Sequence, residues 1–186
     1  MRLVILGGPG AGKGTQGRML CENLSIPWIA TGEIFRNAIA TDTELGRQAA
    51  PYVEKGELVP DPITIELIRH RLTEADARDG WLLDGYPRTA FQAEELDFLL
   101  HDLGQELDWA IWLDAPVPIL MQRSLDRSRE DDAPEIVRRR IDLFHQRTIP
   151  ITEYYEPRHK LLRIDANRLV EDIQQDLLDR LKAKHL

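Results

Sequence analysis

Four apolar residues, Leu3-Val4-Ile5-Leu6, run straight into Gly7-Gly8-Pro9-Gly10-Ala11-Gly12-Lys13-Gly14-Thr15, and helical periodicity follows over residues 13–24. No other stretch narrows the fold so sharply. A continuous apolar run is expected of a strand covered on both faces. Placed after such a strand and ahead of a helix, the G-x-x-x-x-G-K spacing is that of a phosphate-binding loop, the P-loop. The chemistry demands these residue types. Glycines let the backbone close round an anion where a Cβ would obstruct it or forbid positive φ. The amide N–H groups then face the anion, the next helix presents its positive dipole end, and Lys13 adds a mobile point charge for phosphate. The position after Lys13 is Gly14, so the hydroxyl that commonly follows the lysine is displaced to Thr15. Asp84, closing a later apolar run, is the carboxylate expected to order Mg2+ with Thr15, through water.

Beyond the loop, short apolar runs alternate with amphipathic ones. Strands are expected at residues 3–6, 27–30, 81–84, 109–113 and 160–164. Helices are expected over 13–24, 31–38 with Thr31 as N-cap, 45–55, 61–78 with Asp61 as N-cap before Pro62, 90–103, 118–127, 134–155 with a kink at Pro150, and 169–182. Such alternation implies an α/β fold, a five-stranded parallel sheet with helices on both faces. Its ligands belong at the carboxyl ends of the strands. At 186 residues the chain is read as one domain, 1–186.

The formal charge of −8 argues against a nucleic-acid partner, which needs an electropositive surface. Between Arg123 and Arg147, however, seven arginines stand against six acids, which leaves room for a local site for a small polyanion. Cys21 is the only cysteine, so no intrachain disulfide or cysteine-rich zinc site is expected, and the compartment is read as the cytoplasm. No apolar run approaches the ~20 residues of a membrane span, so no membrane partner is expected. The five histidines (70, 101, 145, 159 and 185) are read as surface or packing residues.

Several segments together carry a resemblance. They are Gly14-Thr15-Gln16, Thr31-Gly32-Glu33-Ile34-Phe35-Arg36, Gly56-Glu57-Leu58-Val59-Pro60-Asp61, and Leu83-Asp84-Gly85-Tyr86-Pro87-Arg88-Thr89 with Gln92. Arg129-Glu130-Asp131-Asp132, followed by Arg138-Arg139-Arg140, is the last. With the P-loop, they make the chain resemble the adenylate kinase family of nucleoside monophosphate kinases from Met1 to about Asn167. The resemblance implies a P-loop NTPase-type sheet, a helical monophosphate-binding insertion at 30–60 and a short lid at 124–134. It also implies reversible transfer of a phosphoryl group from MgATP to AMP, giving two ADP, by a monomer with no structural zinc.

Roles follow from the same resemblance. Gly8, Pro9, Gly10, Ala11, Gly12, Lys13, Gly14, Thr15, Arg123 and Arg127 match the ATP side. Thr31, Arg36, Glu57, Leu58, Val59, Gly85, Arg88, Gln92, Arg129 and Arg140 match the AMP side. Lys13, Arg88, Arg127, Arg129 and Arg140 face the transferred group, Arg36 and Arg88 clamp the AMP phosphate, and Gln92 reads the adenine edge. Arg123 and Arg127 compete for one family position. Glu33 is either a first-turn acid on a helix or a functional group. A UMP/CMP kinase of the same fold is the alternative, with Thr31 and Gln92 matching the adenine-reading positions instead.

Overall fold

The structure, a computed structural model, describes residues 1–127 and 133–183. Strand β1 (Arg2–Leu6) lies at the centre of a parallel sheet. It pairs on one side with β3 (Trp81–Asp84) and on the other with β4 (Trp109–Asp114). Strand β2 (Trp28–Ala30) flanks β3 and β5 (Leu161–Asp165) flanks β4, giving the order β2-β3-β1-β4-β5. The connections therefore leave β1 in opposite directions, and a crevice opens at its carboxyl end. Gly7 begins there.

Strand alternation sends side chains to two cores. Leu3 and Ile5 join Leu20 of α1 (Lys13–Leu24), Leu120 of α6 (Val117–Asp126), Val137 of α7 (Pro134–Leu143) and Leu177 of α9 (Val170–Ala183). Val4 and Leu6 join Ile68 of α4 (Asp61–Leu72), Leu96 of α5 (Ala90–Asp102) and Tyr155 of α8 (Pro150–Tyr155) on the other face. A third, smaller cluster unites Phe35 of α2 (Thr31–Ala40), Ala49 of α3 (Glu44–Val53) and Val59. Thr43 caps α3 by accepting from Gly46 N at 3.1 Å. A Cβ on Gly46 would strike the backbone of Ala38, so glycine is what lets α2 and α3 approach so closely.

Four local expectations are corrected. Thr31 is the first residue of α2 and not its N-cap; Ala30 caps, and Thr31 Oγ1 donates to Asp84 O at 3.2 Å. Asp61 likewise is the first residue of α4 after Pro60, its carboxylate accepting from Gln92 Nε2 at 2.7 Å. In both, a tertiary partner outbids the local cap. Helix α4 stops at Leu72 instead of continuing to Arg78, because Arg71 grips Asp76 through two bonds of 2.8 and 2.7 Å and folds the chain back into a 3₁₀ turn, Ala75–Ala77. The expected helix over 134–155 is split by a π-helical turn, Phe144–Thr148, just ahead of Pro150. Proline has no N–H, and its ring would collide with the carbonyl four residues back. The backbone widens to meet this, Ile149 N donating to Phe144 O at 3.0 Å.

Burial makes the folded chain hold protons in alkali. It pushes the Cys21 thiol up to about 12, with Glu22 adding to the effect. It pushes the Tyr154 hydroxyl up to about 12, helped by the bond to Asp97, and raises Tyr86 and Tyr155 as well. In the unfolded chain these groups ionise from about pH 8.5 for the thiol to about 10 for the phenols. Folded-state values above unfolded ones mean a stability contribution fully present below about pH 8.5 and lost as pH rises towards about 12. Urea unfolding should give similar midpoints at about pH 7 and 8 and a clearly lower one near pH 11. An unchanged midpoint near pH 11 would contradict this.

Candidate active site

After Leu6 the backbone turns through three positive-φ glycines, Gly7, Gly10 and Gly12, the last of them the left-handed N-cap of α1. Gly10 has φ +80°, and a Cβ there would meet Ser124 Oγ at 2.9 Å and press on the Leu120 carbonyl oxygen. The loop therefore lies directly on α6. By helix geometry the first-turn N–H groups of α1 lack intrahelical partners and carry the positive dipole end. Lys13 Nζ curls over the loop, donating to Gly7 O at 2.8 Å and Gly8 O at 3.0 Å.

A cavity of about 660 Å³ opens above this loop. The loop side is formed by Pro9, Gly10, Ala11, Gly12, Lys13, Gly14 and Thr15. Thr31, Arg36, Glu57, Leu58 and Val59 form a second wall. Asp84, Gly85, Arg88 and Gln92 line the floor beyond β3, and Arg123, Arg127 and Arg140 reach in from α6, its C-terminal end and α7. Gly8 stands apart from the rest: a Cβ there would collide with Leu120 and touch Phe144, while its carbonyl serves Lys13. Arg129 lies outside the described residues, as do the other residues of 128–132 within the segment 124–134. The described histidines, 70, 101, 145 and 159, are exposed and away from the cavity.

Arg88 is the most constrained cation. Its Nε donates to Gly85 O at 2.8 Å, its N–H to Gln92 Oε1 at 2.8 Å, and its carbonyl accepts from Thr148 Oγ1 at 2.9 Å. Burial lowers the guanidinium below the usual arginine value; Asp84 opposes the shift, and the charges of Arg140 and Arg36 reinforce it. Arginine keeps its charge through such shifts, so three guanidiniums and one carboxylate share this side of the cleft. An anion there would relieve both burial and mutual repulsion.

Asp84 Oδ2 lies beside the start of α1, 4.0 Å from where a Gly14 Cβ would sit. Among the described residues no three His, Cys, Asp or Glu side chains group as a metal cage. A lone carboxylate with a nearby hydroxyl fits Mg2+, which keeps most of its waters and takes its other ligands from phosphates. Asp84 and Thr15 both line the cavity and supply such a donor set.

Some cleft residues carry no sequence signal. Gln16 Nε2 donates to Val170 O and Arg123 Nη1 to Ala166 O, both at 2.9 Å, binding the loop after β5 to the P-loop side. Arg168, Val170 and Ile173 thereby line that end. Only the sheet register brings residues 166–173 here. Glu33 has a partner: Arg18 Nη2 at 2.8 Å, the guanidinium also lying 4.4 Å over the Trp28 ring. Arg139 Nη2 donates to Glu57 Oε1 at 2.5 Å, joining α7 to the segment before α4.

The family model for adenylate kinase matches residues 5–160. The chain is 59% identical to "Adenylate kinase 2" of Nostoc sp. (strain PCC 7120) over 97% of its length and 98% of that protein. It is 52% identical to "Adenylate kinase 2" of Synechocystis sp. (strain PCC 6803), over 97% and 100% respectively. It is 44% identical to "Adenylate kinase" of Thermobifida fusca, over 99% and 100%.

Gly10→Ala tests the loop geometry. Its side chain must accept positive φ against the Leu120 carbonyl, a strain of about 1–3 kcal/mol. The melting temperature should fall by several degrees, and calorimetric binding of a triphosphate should weaken severely. Unchanged melting and binding would contradict the geometry.

Proposed function

Since the chain belongs to the adenylate kinase family, we propose a division of labour by which its cleft seats ATP and AMP end to end. The enzyme transfers the terminal phosphoryl group of ATP to AMP, reversibly, giving two ADP. One observation carries the proposed division. Two anion-attracting surfaces, the P-loop with Lys13 and the guanidiniums of Arg36, Arg88 and Arg140, line a single cavity.

On the donor side, the loop from Gly8 to Thr15 wraps the ATP phosphates. Lys13 leaves the Gly7 and Gly8 carbonyls to meet the β- and γ-phosphates. Arg123 and Arg127 come from the α6 side. On the acceptor side, Arg36 and Arg88 clamp the AMP phosphate, bidentate recognition to which the planar guanidinium is suited. Thr31, Glu57, Leu58, Val59 and Gly85 shape the nucleoside pocket, and Gln92 reads the adenine edge. Arg140, with Arg129 assigned by family resemblance, faces the transferred group.

The acceptor oxygen is already an ionised phosphate, so no general base is needed. Positioning and charge compensation suffice. Mg2+ bound by Asp84 and Thr15 through water would neutralise developing charge between the phosphates. Water competes with AMP as nucleophile, and closure of segments 30–60 and 124–134 over the nucleotides excludes it. The proposal includes a monomer working in the cytoplasm, with small-molecule substrates alone.

Lys13→Met and Arg88→Ala should each lower turnover about 10²–10³-fold in a coupled assay of ADP formed from ATP and AMP with magnesium. Circular dichroism should show both folded. Near-wild-type turnover in both folded variants would contradict the proposed roles.

A further inference from the structure

We propose that Asp61 sets the acceptor-base specificity of this enzyme, by locking the Gln92 side-chain amide in one of its two orientations. The inference rests on the reading of Gln92 as the group that meets the acceptor base.

A carboxamide is nearly symmetric in shape, and a half-turn exchanges its oxygen with its nitrogen at no steric cost. Gln92 is denied that freedom. The residue is only 2% exposed, so water competes little for the two partners its amide already has. Nε2 donates to Asp61 Oδ1 at 2.7 Å, and Oε1 accepts from Arg88 N at 2.8 Å. A half-turn would set the amide oxygen against a carboxylate and the amide N–H groups against a backbone N–H. Two hydrogen bonds, one of them charge-assisted, would become two repulsions.

Both partners are themselves pinned. Asp61 opens α4 between Pro60 and Pro62, which restricts its backbone. The Arg88 carbonyl is fixed by Thr148 Oγ1, and its side chain by Gly85 O. Gln92 is held by its own backbone as well, its N–H donating to Thr89 Oγ1 and its carbonyl accepting from Tyr86 OH, both at 3.1 Å.

With one bond on each side, the locked amide retains one N–H and one oxygen lone pair for a ligand in the cavity it lines. Adenine answers with N1, an acceptor, and its 6-amino group, a donor. A 6-oxopurine such as hypoxanthine presents the reverse, an N1–H donor and an O6 acceptor, and would need the flipped amide. Asp61 is thus a positioning residue: it does not line the cavity, and through Gln92 it decides which purine is accepted.

The test compares wild type with Asp61→Asn, Asp61→Ala and Gln92→Ala, measuring kcat/KM for AMP and for IMP at saturating ATP, and KM for ATP. Asparagine fills the same volume but donates as readily as it accepts, so it preserves packing and removes the share of the lock that Asp61 supplies, leaving only the Arg88 N–H. The AMP-over-IMP preference should fall about tenfold in Asp61→Asn and at least as much in Asp61→Ala, with KM for ATP unchanged. A full wild-type preference in both Asp61 variants would overturn the proposal, even if their rates fell. Gln92→Ala separates the two possible failures. If it abolishes the preference while the Asp61 variants keep it, the lock alone is wrong. If it too keeps the preference, Gln92 does not read the base, and the underlying reading fails with the lock.

Discussion

Positive charge concentrated on one cavity, in a chain whose net charge is −8, is the constraint on which this structure turns. Lys13 lies over a glycine loop at the start of α1, and Arg88 is sunk beside Arg36 and Arg140 with Asp84 as the counter-charge. Burying like charges together is costly unless something compensates. Here a carboxylate and a set of backbone carbonyls hold the cations apart and aimed. On the proposed function, substrate phosphates complete the compensation, so that binding energy and catalysis draw on the same groups.

Sheet topology creates the adjacency. Because β1 sits between β3 and β4, the loops leaving all three carboxyl ends converge. The β1 loop brings Lys13, the β3 end brings Asp84 and Arg88, and the helices after β4 bring Arg123 and Arg140. The segment between β2 and α4 has its own small apolar cluster round Phe35, Ala49 and Val59. It meets α7 through Gly56, which packs against Ile136 and Arg140, and through the Glu57–Arg139 pair, an interaction of the surface class worth about 0.2–1 kcal/mol.

What is legible in the sequence is what local chemistry decides. Strands β1, β3 and β4 read clearly because a parallel strand buried on both faces is a continuous apolar run, whereas the edge strand β5 is buried only at alternate residues; the P-loop reads clearly because its positive-φ turns admit few residues other than glycine. Thr31 and Asp61 mislead because each has the chemistry of an N-cap, while a distant partner, Asp84 O or Gln92 Nε2, takes the side chain instead. The π turn at Phe144–Thr148 is set by how the backbone accommodates Pro150, a choice periodicity does not encode. Bonds such as Gln16 to Val170 span 154 residues, and Arg123 to Ala166 span 43, so no window of sequence shows them. The arginines are visible as residues; their shared cavity is visible only in three dimensions.

The most direct test of two nucleotides held end to end is a competition titration with a single molecule joining two adenosines through a chain of phosphates. One such molecule per chain should displace both a non-hydrolysable ATP analogue and AMP, after the two have been shown to bind together at one each. Displacement of only one of them, or mutual exclusion of the ATP analogue and AMP, would contradict the account.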